Sequence, residues 1–146
     1  MNKRKLILSL ADAKSKKLQD PVKKFKTSIR AKATQETYRK TFTEFLSSVK
    51  EFDGTFEEMA RQFYDYAREN PENAQTLLES YAMYVNSRAS EDYLNPNSFK
   101  GKFKGIKKFC KTNRIQVLWD DIDMYDPEIN PRIVLMIQVL FHTVQE

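Results

Sequence analysis

Residues 99–111 constrain this chain more than any other stretch. Phe99, Phe103, Ile106 and Cys110 recur at i, i+4, i+7 and i+11, with Phe109 at their border. That is the spacing of one face of an amphipathic α-helix. Lys100, Lys104, Lys107 and Lys111 repeat it one residue on, about 100° round the helix, and Lys108 widens their stripe. Between Asn95 and Arg114 there are seven basic residues and no acidic one. One face of this helix can enter a core while its neighbour offers five ammonium groups. Lysines favour helices and often only solvate a surface, but a solvated face usually mixes signs. A face of one sign points to a polyanion, of which DNA is the commonest.

The rest of the chain agrees with a helical reading. Three Gly and five Pro among 146 residues, with 31% charged residues, argue against a sheet sandwich and for one mostly helical domain with tails. The net charge of +5 conceals an asymmetry. Residues 1–32 hold eleven basic and two acidic residues; residues 33–146 hold fourteen basic and eighteen acidic. Without residues 95–114, that second portion has seven basic against eighteen acidic. Positive charge is therefore concentrated in an N-terminal arm and one helix, over an otherwise acidic surface.

Cys110 is the only cysteine, so no intramolecular disulfide is possible, and its place on the apolar side of a helix predicts a buried structural thiol. Lys3-Arg4-Lys5 followed by Leu6–Leu10 has too short an apolar run for a signal peptide. Ile133–Phe141 is far below the ~20 residues that span a bilayer. The expected location is the cytoplasm, with no membrane partner.

Three segments follow from this patterning. Residues 1–24 read as a basic arm, with a short helix around Leu6–Leu18 broken by Asp20-Pro21. Residues 25–119 read as the helical domain. A first helix runs from about Thr34 to Lys50, capped by Thr34, with Tyr38, Phe42, Phe45, Leu46 and Val49 inward. Asp53-Gly54 turns the chain into a capping box, Thr55-Phe56-Glu57-Glu58, that opens the second helix. In that helix Glu57 and Arg61 are expected to pair at i, i+4. Asn70-Pro71 opens a third helix, with Ala74, Leu77, Leu78, Tyr81, Ala82 and Val85 inward, and Asn95-Pro96 opens the basic fourth, which stops near Asn113. Residues 120–146 read as a linker and an apolar C-terminal tail, with Trp119 plugging the end of the bundle.

Four helices of these lengths, an aromatic-rich first helix opening on Thr, a basic fourth helix and an exit segment with Trp occur in a specific order. That order resembles the N-terminal core-binding (SAM-like) domain of phage-type integrases, the tyrosine recombinases, and in style the archaeal integrase-like proteins. The matching residues are Phe25, Ser28-Ile29-Arg30, Thr34, Thr37-Tyr38, Phe42 and Phe45-Leu46, then Leu77-Leu78 and Tyr81. They continue through Asn97-Ser98-Phe99, Ile106-Lys107-Lys108-Phe109-Cys110 and Val117-Leu118-Trp119. The likeness covers roughly residues 25–130. It implies a domain that clamps one side of a recombination site on double-stranded DNA, alongside other recombinase subunits. It implies that Thr34 and Thr37 meet phosphate, that Lys40 and Thr41 extend that side, and that Arg30 and Lys32 grip the flanking backbone. Lys100, Lys104, Lys107, Lys108 and Lys111 would supply the charge.

The departure from that family concerns chemistry. A tyrosine recombinase needs a second domain with two arginines, a basic or His residue between them, a His-x-x-Arg element and a nucleophilic Tyr. After Trp119 the sequence has 27 residues; its sole His, His142, is followed by Thr143-Val144-Gln145, and Arg132 is the only arginine there. One His and one Cys cannot build a usual structural zinc site, and no Gly-rich phosphate loop is present. The expectation is a truncated, non-catalytic, all-α four-helix DNA-binding domain without cofactor, metal or small-molecule substrate. Two rivals stand beside it: a recombinase fragment whose catalytic half is supplied in trans, and a helical protein-interaction module whose basic stripe meets an acidic partner.

Overall fold

All regular structure in the computed structural model, which describes residues 9–10, 20–91 and 97–130, is α-helical; no strand occurs among the described residues. The helices are α1 (Pro21–Thr27), α2 (Lys32–Ser48), α3 (Phe56–Glu69), α4 (Asn73–Glu91), α5 (Asn97–Thr112) and α6 (Trp119–Asp123). The all-α class therefore holds, with two short helices added to the four long ones expected. The expected Leu6–Leu18 helix lies almost wholly outside the described residues, as do Asn95-Pro96 and the tail beyond Asn130.

Local chemistry explains each boundary. Asp20-Pro21 starts a helix: the Asp20 carboxylate accepts from the Val22 N–H, and Pro21 occupies the first turn, where its missing donor costs nothing. α2 begins two residues before the predicted start. Its N-cap is Ala31, which has no capping side chain, so Thr34 lies inside the first turn and does not cap it. The entry is fixed from elsewhere, by the Gln35 amide donating to the carbonyls of Lys26 and Ile29 at 3.0 and 2.6 Å. The capping box of α3 forms in both directions between Thr55 and Glu58. The turn before it has Gly54 at φ +109°, with the Asp53 backbone clasped by the Gln62 amide at 3.0 and 2.9 Å. Asn70 ends α3 and caps the Pro71-Glu72 turn that leads into α4. Its side-chain oxygen accepts from the Glu72 N–H, and the helix restarts at Asn73. α5 closes with Arg114 at φ +56° and a bond from the Ile115 N–H to the Cys110 carbonyl at 2.9 Å. That is a Schellman closure with arginine at the position glycine usually fills.

The core is one cluster spanning every helix, with Phe42 at its centre. Its ring meets those of Phe25, Phe45, Phe56, Phe63 and Phe109 at centroid distances of 4.8–6.3 Å. Such edge and tilted contacts add to the burial of the rings themselves. Phe42, Phe45, Leu78, Tyr81, Phe99, Phe103 and Ile106 are buried as expected, while Tyr38 and Leu77 are half-buried against them. Phe109, which the spacing puts at a border, is fully buried, and Val22, Phe25 and Ile29 from the expected arm and its edge join it.

Two more expectations change. Glu57 and Arg61 do not pair with each other. Glu57 bridges Lys26 at 3.2 Å, and Arg61 holds Asp20 through two hydrogen bonds of 3.1 and 3.0 Å, so α3 fastens α1 instead of bracing itself. The expected linker begins at Asp120, yet the chain continues there as α6, with Ile122 fully buried. The Asn86 amide donates to the Tyr125 carbonyl at 2.6 Å, holding this turn onto α4. A single inward apolar residue in a run of aspartates gives too little periodicity to be read from sequence.

Candidate nucleic-acid interface

The most extensive helix–helix contact is between α2 and α5. Gly105 makes it possible: a Cβ there would press into the Tyr38 backbone, with the Tyr38 Cα and carbonyl carbon each 3.0 Å away. The two backbones therefore touch at Tyr38 and Gly105, and Gly101, one turn earlier, has open space around it. Gly105, a glycine inside an otherwise strong helical pattern, was the sequence signal for this close approach.

The crossing gathers most of the expected DNA-facing residues. Lys104 and Lys108 flank Gly105; Lys104 is exposed and Lys108 half-buried. On α2, Thr34 and Thr41 lie one turn to either side of Tyr38 and are half-buried, while Thr37 and Lys40 are exposed. Arg30 and Lys32 are exposed at the uncapped start of α2. The threonine hydroxyls are already engaged: Thr37 donates to the Ala33 carbonyl at 3.0 Å, and Thr41 to those of Thr37 and Tyr38 at 3.2 Å. Each oxygen keeps acceptor capacity, but its proton is spent on its own helix.

The five stripe lysines fall into two groups. Lys100, Lys104, Lys107 and Lys111 are exposed, opposite Phe99, Phe103, Ile106, Phe109 and Cys110, which are buried. Lys104, Lys108 and Lys111 make no ion pair among the described residues, and Lys100 stands 3.8 Å from Glu128 with both side chains about half exposed. Lys107 and Lys111 lie towards α4. The Lys107 ammonium sits 5.4 Å above the Trp119 ring, and both lysines share a groove with Glu72 and Glu79. Trp119 is half-buried and packs against the core, with the Lys107 ammonium over its ring. Lys102, outside the stripe, is tied to Glu44 at 3.1 Å.

Reactive groups are few. The Cys110 thiol is fully buried, and burial pushes its pKa far up, which suits a structural residue. Burial, helped by the nearby Glu44 charge, likewise raises the Tyr81 hydroxyl. Among the described residues no group of three or more His, Cys, Asp or Glu is placed to hold a metal ion. Nor, among them, is any helix long and apolar enough to cross a membrane. Compared with protein-family models, with curated proteins and with solved structures, the chain has no match.

Proposed function

We propose that this chain binds duplex DNA through the α2–α5 crossing, in the manner of an integrase core-binding domain, and performs no strand cleavage itself. The observation that carries the reading is the single-signed, solvent-facing lysine stripe on a helix whose opposite face is locked in the core. Rigid backing lets a row of ammonium groups follow a phosphate backbone without first being ordered. Lys104 and Lys108, with Lys40, Arg30 and Lys32 on the α2 side, form the best-directed set, because Glu128 beside Lys100 and the carboxylates near Lys107 and Lys111 oppose phosphate there. The start of α2 adds N–H groups that no side chain caps. Recombinase chemistry needs preorganised arginines and a proton donor around the scissile phosphate. The 146 residues contain no His-x-x-Arg element, and long lysines lack the rigid fork of arginine.

Mobility shifts with random duplex at several salt concentrations test this. Five phosphate-neutralising cations give a slope of log affinity against log salt of about −4.5. Replacing Lys104 and Lys108 with Gln flattens it by about two units and weakens unrelated sequences alike. An unchanged slope would remove the crossing from the interface. Incubation with nicked substrate should yield no covalent protein–DNA adduct; a protease-sensitive adduct on a denaturing gel would refute the non-catalytic part.

A further inference from the structure

The groove that Lys107 and Lys111 share with α4 has features DNA binding does not require. α4 gives it a wall with Glu72 and Glu79, α5 gives it the facing wall with the two lysines, and the segment 115–119 completes it. The walls are opposite in sign, and among the described residues none of these four charges makes an ion pair. Leu118 stands on this segment with 67% of its surface exposed, at the rim of the groove. Its backbone is fixed. The Leu118 N–H donates to Gln75 Oε1 at 2.7 Å, and its carbonyl accepts from Gln75 Nε2 at 3.4 Å. An apolar side chain presented this way loses little freedom on being covered.

We propose that this groove is a self-association surface on which a second copy of the chain docks about a two-fold axis. Lys107 and Lys111 of each copy then face Glu72 and Glu79 of the other, and the two Leu118 side chains close near the axis. A two-fold axis sets a patch against the same patch, so the patch must complement itself. A surface of one sign fails that condition, and two opposed walls of opposite sign meet it. Partners of a single charge sign would satisfy one wall and be repelled by the other. The patch is small, so the association is weak and grows with concentration. It leaves Lys104, Lys108 and α2 uncovered, so a dimer would offer two DNA-facing crossings.

Sedimentation of the full chain over a wide range of concentration tests the proposal, using Lys107→Glu and Glu79→Lys. Each reversal turns two attractions into two repulsions, one on either side of the axis, and weakens dimerisation by about tenfold or more. Mixing the two variants in equal amounts restores attraction on both sides. The expected result is a dimerising wild type, two monomeric variants with unchanged helical circular dichroism, and a heterodimer on mixing. A wild type monomeric at every concentration would overturn the proposal, including one that dimerises only after the residues beyond Asn130 are removed, which would make the chain's own tail the occupant. So would a mixture that stays monomeric while the wild type dimerises.

Discussion

Gly105 and Gly101 lie on the same helix one turn apart, and alanine should act on them with opposite signs. At either position, removing a helix-interior glycine favours the helix by about 1 kcal/mol. At Gly101 nothing stands within 4 Å of the new methyl, so Gly101→Ala should gain most of that amount. At Gly105 the methyl would meet the Tyr38 carbonyl and Cα, which are backbone atoms in the middle of α2 and cannot swing aside. Relief requires α2 and α5 to part by about an ångström, and overpacking of that kind costs about 1–3 kcal/mol, or more where backbone must move. Because these helices share the largest contact in the fold, parting them also loosens Phe42 against Phe109, whose rings are 4.8 Å apart. The net expectation for Gly105→Ala is a loss of about 1–2 kcal/mol, set against a gain for its neighbour. Urea unfolding followed by circular dichroism measures both, with the slope expected to stay constant. If Gly105→Ala stabilises as much as Gly101→Ala, the helices do not touch there, and the assembly of Lys104, Lys108, Thr37 and Lys40 at one crossing falls with it.

Other perturbations follow from the same contacts. Phe42→Ala should cost about 3–5 kcal/mol in denaturant unfolding, since the ring is fully buried among five others; a loss near 1 kcal/mol would mean the hub collapses readily around the gap. Arg114→Gly should stabilise by up to about 1 kcal/mol, because glycine adopts the left-handed position that arginine occupies at φ +56° without the steric penalty. The Arg61 guanidinium holds the Asp20 carboxyl below its ordinary pKa. Its contribution is therefore complete above the unfolded-state value and is lost as pH falls through the carboxylate range, below about 4. The melting temperature should drop in that window, and Asp20→Asn should remove part of the drop while lowering stability at neutral pH.

The helices were legible where residues a few positions apart decide them: the Thr55–Glu58 capping box, the Asp53-Gly54 turn and the Phe99–Cys110 stripe all form as their spacing dictates. What was not legible depends on partners far away in sequence. Arg61 takes Asp20, forty-one residues off, over a neighbour one turn away, and the entry to α2 is held by Gln35 donating to the Lys26 and Ile29 carbonyls, with no cap from Thr34. Of the candidate interface, the lysine stripe was readable because helical spacing fixes which residues share a face. Its division into a crossing side and a groove side was not, because that depends on where α4 and Trp119 pack. Gly101 and Gly105 look alike in the sequence, and only the Tyr38 backbone beside Gly105 sets them apart.

The fastening of α1 has a consequence for how the chain can be made. The Asn113 amide, at the end of α5, donates to the Pro21 carbonyl at 3.2 Å, and the Thr112 hydroxyl meets that of Ser28 at 3.4 Å. Phe109 from the same turn closes on Phe25, Phe42 and Phe63. The core thus joins residues more than eighty positions apart, and it is completed by the last of these four long helices to leave the ribosome. Before α5 emerges, the inner faces of α1 and α2 have no lasting cover, and closing so long a loop is the slow, entropically costly step of folding. A chain interrupted ahead of residue 97 would expose those phenylalanines, a hazard for aggregation. The same order protects against a nascent chain engaging polyanions too early. The helix that bears the lysines also locks the fold, so the stripe is first displayed on a rigid support once α5 has joined the other helices.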